Sequence, residues 1–404
     1  MLMPIKLQIK PSAAKLFQKG FPLVERESVA NPDVLKEEGE IFTLVDSKGS
    51  MIGTGYYGKQ NKGIGWILSF KKEESIDQSF FNQKIKAASD QRTSFFNSSE
   101  TTAFRLFNGE GDGIGGLTVD YFDGYCLINW YSKGIYAFKE SIIAALQKTV
   151  SPKGIYQKKR FDEKGQYIEE DDFVAGEQAP YPLLVKENGA SFAVYLNEGA
   201  MVGVFLDQRD VRKAIRDTYA NGKTVLNMFS YTGAFSVFAA LGGAVKTVSV
   251  DVANRSLPKT IEQFSINGID HEAQEIIVED VFKYFKYAAR KEKTYDLVIL
   301  DPPSFAKSKK HTFSAAKDYK NLLKDTISLT ANNGVIVAST NASNVSDEKF
   351  KGFIDQAFKE TGISYSLLEN YHLPEDFRTI PQYKQGNYLK VYFIKVKKKR
   401  NGQA

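Results

Sequence analysis

One short stretch of this chain concentrates groups that could do chemistry: Asp301, Pro302, Pro303, Ser304 and Phe305, which close the apolar run YDLVIL. Two successive prolines fix φ and remove two amide donors, so they would hold the Asp301 carboxylate and its neighbouring carbonyls rigidly at a strand end. A carboxylate held in this way can orient a nitrogen at the edge of an aromatic base, or accept a proton from it. An enzyme acting on a paired base must first extrude it, and Ser304 and Phe305 lie where such a base would be met. Phe305 either stacks on that base or packs within its own loop. Lys307, Lys309 and Lys310 follow, as a contact to a backbone phosphate or as a solvated charge run.

Three further places could hold a small ligand. The segment NMFSYTGAFSVFAA puts Gly233 at a turn after an apolar strand. A dinucleotide site would want G-x-G-x-x-G there, so that a pyrophosphate could approach backbone amides at a helix N-terminus. That pattern is missing. One turn glycine between Thr232 and Ala234 suits a ligand without phosphates, such as the amino-acid end of S-adenosylmethionine, or is an ordinary tight turn. Asp251 ends the next strand, where a carboxylate receives ribose hydroxyls in nucleoside-binding sheets; a helix N-cap is the other reading. Asp280 ends a third strand and could accept from an adenine amino group, or cap a helix.

These residues need a scaffold that brings strand ends together. From about Ser191 onward, strands read in TVLNMF, KTVSVD, EIIVED, YDLVILD and NGVIVAST alternate with helical stretches, the rhythm of a parallel α/β sheet. ISYSLLENYHL and YLKVYFIKVK read as closing strands. Ligands of open parallel sheets bind beyond the carboxyl ends of the strands, where all the residues above fall. The first 75 or so residues alternate β-like stretches with glycine turns and imply a small β-rich domain. Between about Phe80 and Leu184, strands flanking the Asp123-Gly124 turn and the helical spacing of KGIYAFKESIIAALQKTV suggest an α+β unit.

Composition narrows the class. A length of 404 residues implies two or three domains, and 42% hydrophobic residues supply their cores. The net charge of +6 suits a polyanionic partner without requiring one. A single cysteine, Cys126, excludes an internal disulfide framework and a cysteine-rich metal site; three scattered histidines leave no histidine-based one, so no metal is expected. No apolar run of about 18 residues and no basic-then-apolar leader occur. Neither membrane insertion nor secretion is indicated, and a reducing cytoplasm is the default.

Taken together, GEIFTLVDSKGSMIGTGYY, EGDGIGGLTVDYFDGY, VGVFLDQRDVR, NMFSYTGAFSVFAA, DPPSFAKSKK and NYLKVYF, in this order, resemble the bacterial 23S ribosomal RNA large-subunit methyltransferase I family. The resemblance covers nearly the whole chain. It implies a multidomain α/β architecture: a PUA-like β-barrel over residues 1–75 that contacts RNA, a β-β-α-β-β middle domain over 76–190, and a Rossmann-like class I methyltransferase domain over 191–404. It also implies S-adenosyl-L-methionine as cofactor, held by Phe205, Asp207, Gln208 and Arg209, by the loop Asn227, Phe229, Ser230, Tyr231, Thr232 and Gly233, and by Asp251, Asp280 and Val281. The implied partner is 23S ribosomal RNA, and a homodimer stays open.

One position departs from the family pattern. Cytosine C5 needs a cysteine thiolate adding to C6 before it can attack a methyl group, and family members making 5-methylcytosine carry that cysteine just after the fifth strand. Here VIVASTNASN places Asn341 there. The family points to cytosine C5, whereas Asn341 points to a base nitrogen such as guanine N7, which needs no covalent adduct. A non-catalytic RNA-binding or assembly factor that keeps a cofactor pocket is the alternative. A nicotinamide-dependent oxidoreductase lacks its phosphate-binding glycines.

Overall fold

The computed structural model describes residues 5–60, 63–72, 74–161, 168, 172–307 and 312–398. The chain divides into two compact units: residues 1–186, 194–202 and 375–386 form one, and residues 187–193, 203–374 and 387–404 the other.

The first unit holds two five-stranded sheets. One is built from Ile5–Gln8, Leu23–Val24, Ile41–Val45, Met51–Gln60 and Gly63–Ser69. The second contains Ala103–Asn108, Leu117–Phe122, Tyr125–Trp130, Gly154–Lys159 and Phe173–Gly176, with the helix Lys139–Thr149 between its third and fourth strands. Ala103–Asn108 is thus an additional strand ahead of the β-β-α-β-β series. Residues of both sheets, from Leu7 and Phe42 to Trp130 and Ile155, belong to one continuous buried cluster. Cys126 is fully buried within it, and burial raises its thiol pKa well above the ordinary value, the condition of an inert structural cysteine.

The second unit is a seven-stranded sheet whose strands we label in chain order: β1 (Thr224–Met228), β2 (Lys246–Asp251), β3 (Glu275–Val278), β4 (Tyr295–Leu300), β5 (Thr330–Thr340), β6 (Ser364–Tyr371) and β7 (Lys390–Lys397). Their spatial order is β3-β2-β1-β4-β5-β7-β6. The first five run parallel, and β7 is antiparallel to both β5 and β6. The principal helices are α1 (Ala234–Leu241), α2 (Ser256–Ile266), α3 (Val281–Arg290), α4 (Ala315–Leu329) and α5 (Asp347–Thr361).

Apolar runs such as YDLVIL make such strands because the sheet is covered on both faces. Side chains alternate between the two covers. Leu226, Met228, Val298, Leu300, Ile336 and Ala338 pack with α3, α4 and α5. Val225, Leu297, Ile299 and Val337 point the other way, towards Val211, Ile215, Phe235 and Ala239. In α3 the buried residues Val281, Tyr284, Phe285 and Ala288 recur at i, i+3, i+4 and i+7, one helical face. Strand order reverses between β1 and β4, which pair directly with Met228 opposite Leu300. This topological switch point places the expected ligand site between the loop after β1 and Asp301.

Candidate active site at the carboxyl edge of the sheet

The loop leaving β1 is conformationally demanding. Phe229, Tyr231 and Gly233 have φ values of 61°, 52° and 78°, and left-handed conformations at non-glycine residues persist only where surroundings enforce them. The enforcing bonds are visible. Ser230 N donates to Val250 O at 3.0 Å and Gly233 N to Ser230 O at 2.8 Å. Thr232 Oγ1 donates to Gly203 O at 2.6 Å, and Tyr231 N to Asp251 Oδ2 at 2.9 Å. At the floor, buried Asn227 donates to Ser236 Oγ at 2.9 Å, while its Oδ1 has no partner among the described residues.

Asp251 does not cap α2, whose N-cap is Arg255; its carboxylate instead receives Tyr231 N and Ala253 N, one on each oxygen. A carboxylate oxygen can accept more than one bond, so both keep acceptor capacity. Asp280 does cap its helix: Oδ1 receives Phe282 N at 2.9 Å and Lys283 N at 3.1 Å. The side chain of Val281 is spent on the core.

Before β1, Phe205 is half exposed and its ring lies 5.3 Å from that of Tyr231. Asp207 accepts from Tyr388 Oη at 3.0 Å. Gln208 and Arg209 are both buried. Behind them, Arg212 forms a buried two-point pair with Glu187, at 2.6 and 2.8 Å, and donates to Phe205 O at 2.6 Å. Neither Arg212 nor Glu187 stands among the sequence candidates, although Arg212 closes the quoted VGVFLDQRDVR.

Asp301 lies at the end of β4, partly shielded from solvent. Desolvation pushes its pKa up to about 6, with the negative charge of Asp207 adding to the rise; hydrogen bonds from Ser339 and Gln208 and the charge of Arg212 oppose it. Behind it the buried Tyr319 hydroxyl donates to Ser339 O at 2.8 Å. Pro302 is buried and Pro303 exposed. Phe305 is 62% exposed, so it is not packed within its loop, and Phe305–Lys307 pairs with Thr312–Ser314 as a short hairpin. Lys309 and Lys310 lie outside the described residues. For Lys307 only the backbone is described. Asn341, at the end of β5, accepts from Ser304 Oγ at 2.5 Å, joining the loops after β4 and β5. With its oxygen engaged, the amide presents N–H donors.

The crevice thus combines a half-exposed aromatic ring at Phe205, a strained turn, a diol-competent carboxylate and an unpartnered buried acceptor, with no glycine-rich phosphate cradle. That set fits an uncharged nucleoside joined to an amino acid, the two halves of S-adenosylmethionine.

Comparisons with known proteins agree. A family profile described as S-adenosylmethionine-dependent methyltransferase matches residues 105–384, and one described as a PUA-like domain matches residues 7–70. YwbD of Bacillus subtilis (strain 168), provisionally named a ribosomal RNA large subunit methyltransferase, is 60% identical over 97% of this chain and 99% of its own. Ribosomal RNA large subunit methyltransferase I of Alteromonas mediterranea is 31% identical over 96% of this chain and 98% of its own. The crystal structure of SMU.776, provisionally titled a methyltransferase and complexed with S-adenosylhomocysteine, superposes with a TM-score of 0.90 at 40% identity, covering 97% of this chain and all of that one.

Proposed function

The chain belongs to the S-adenosylmethionine-dependent methyltransferase family, and from that membership we propose that it methylates a base of large-subunit ribosomal RNA at a nitrogen such as guanine N7. When bound, the cofactor supplies a methyl group already activated on a sulfonium. Phe205, Asp207, the loop from Asn227 to Gly233, Asp251 and Asp280, whose Oδ2 accepts no bond among the described residues, would hold it. The protein's remaining task is positioning and electrostatics.

The observation that carries the choice of atom is the Ser304–Asn341 hydrogen bond at the position where a C5 enzyme needs its thiol. A carboxamide cannot add to C6, and Cys126 is buried within the first unit with its thiol held protonated. Guanine N7 instead offers a lone pair and loses no proton on alkylation. Its product ring is cationic, which favours an anionic neighbour. Asp301, ionised above about pH 6, serves as that neighbour and orients the base by accepting from it. Phe305 stacks on the everted base, and the lysines that follow meet the backbone phosphates. The PUA-like residues 7–70 add contacts to the RNA.

Mass spectrometry of ribosomal RNA nucleosides with and without the gene tests the reading. Loss of a methylguanosine supports it; loss of 5-methylcytidine overturns the nitrogen assignment. Asp301→Ala is expected to abolish transfer while sparing S-adenosylhomocysteine binding, and full turnover by that variant would remove Asp301 from the mechanism. A thermal shift by S-adenosylhomocysteine, and none by NAD, checks the ligand independently.

A further inference from the structure

We propose that Lys390 is the positioning residue that ties the loop after β5 to the cofactor-side turn at Asp207, so that one buried ammonium sets both walls of the crevice. The inference rests on the reading of Asp207 as a cofactor residue.

Lys390 opens β7 and is only 5% exposed. Its Nζ donates to Ala342 O at 3.0 Å and to Tyr388 O at 2.8 Å. Burial lowers its pKa, opposed by the more distant charge of Asp347. An unbranched apolar side chain would fill the same space without desolvating a charge, so what the ammonium adds is two directed bonds to main-chain carbonyls.

Both carbonyls belong to segments that reach the site. Ala342 follows Asn341, which accepts from Ser304 in the loop after Asp301. Tyr388 donates its hydroxyl to Asp207 Oδ2 at 3.0 Å, and the adjacent Gln208 accepts from Ser339 Oγ on β5 at 3.4 Å. Two bonds from Lys390 therefore close a ring of contacts: Lys390, Ala342 and Asn341, back along β5 to Ser339, Gln208 and Asp207, Tyr388, and Lys390 again. Without the ammonium, Ala342 O keeps only the amide of Val345, Tyr388 O loses this donor, and the loop bearing Asn341 and the residue bearing the Asp207 contact are no longer tied together.

The test uses the full chain, with S-adenosylhomocysteine affinity measured by calorimetry and kcat and KM measured on the RNA. Lys390→Met is expected to raise the S-adenosylhomocysteine Kd about tenfold, the scale of losing a charge-assisted hydrogen bond, and to lower kcat with a smaller change in KM for RNA. Tyr388→Phe is expected to raise the same Kd, and the double variant to show little further effect, because both changes break one link. A Lys390→Met protein whose Kd and kcat stay within twofold of wild type overturns the proposal, as does strict additivity in the double variant. Should Lys390→Met fail to fold, Tyr388→Phe decides alone: an unchanged Kd overturns the link. Wild-type protein that binds no S-adenosylhomocysteine would count against the cofactor reading itself, a different result.

Discussion

Asp301 shows how a single carboxylate trades solvation for a task. Its pKa of about 6 in the folded chain, against an ordinary 3.8, means that folding favours the protonated form. The stabilisation this lends is complete below about pH 3.8 and is lost as pH rises through about 6. At neutral pH the ionised group is a net liability on the order of 3 kcal/mol. Asp301→Asn is therefore expected to match wild-type stability near pH 4 and to exceed it by about that amount at pH 8, in chemical denaturation at the two values, while losing methyl transfer. Equal stability at both values would mean the carboxylate is not desolvated. Transfer by the wild type should rise through about pH 6 and level off above it, because the ionised form orients the base. Asp301 was legible in the sequence because Asp-Pro-Pro is a local signal. Gln208 and Ser339, which temper the rise in its pKa and pair with each other at 3.4 Å, were not: they lie 93 positions before and 38 after Asp301 in the numbering, and only the fold brings them to it. For Asp251 and Asp280 the sequence left capping and ligand binding open, and the backbone amides divide them, Asp280 capping α3 and Asp251 not capping α2.

At the scale of elements, the loop between β1 and α1 determines whether the crevice exists. Gly233 has a φ of +78°, and a Cβ there would come 2.5 Å from Thr260 Cγ2 on α2. Gly233→Ala meets both a backbone penalty of about 1 kcal/mol and a collision that pushes α2 from the loop. Destabilisation of roughly 2–3 kcal/mol, with S-adenosylhomocysteine affinity lost out of proportion to stability, is the expected outcome. Calorimetry at a temperature where the variant is still folded separates the two effects, and undiminished affinity would show that the turn does not shape the site. The strands of this sheet were readable because short apolar runs bounded by polar turns are a local pattern, three of them running into Asp251, Asp280 and Asp301. The order β3-β2-β1-β4-β5-β7-β6 was not. Nothing local says that β7 inserts between β5 and β6, since that choice depends on which apolar faces can be covered together. The hairpin at Phe305–Lys307 leaves no mark in the sequence, because three-residue strands carry too few residues to show alternation.

At the scale of the whole molecule, the PUA-like sheet and the middle sheet were expected as successive domains, yet they share one buried cluster within the first unit. Tyr56 Oη donates to Gly115 O at 2.7 Å, and Tyr56 and Phe138 rings lie 5.9 Å apart. Gly115 lies so close to Trp66 that a Cβ there would come within 2.2 Å of the indole. The segment 375–386, between β6 and β7, also belongs to this unit: buried Arg92 pairs with Asp112 at 2.8 Å and donates to Asp376 O at 2.6 Å. Tyr383 packs on Phe21 and Trp66 at ring distances of 5.7 and 5.5 Å. Removing residues 1–75 would take Phe42, Tyr56 and Trp66 from that cluster, each large apolar side chain being worth roughly 1.5–3 kcal/mol of burial. Their partners on the middle sheet and on segment 375–386 would face water. A chain lacking residues 1–75 is thus expected not to behave as a free catalytic module that has merely lost RNA affinity. It should bind a hydrophobic dye, lose the near-ultraviolet dichroism of the first unit and unfold over a broadened urea range. A sharp transition with native dichroism would mean instead that the middle sheet and segment 375–386 close a core of their own, and that the PUA-like residues serve recognition alone.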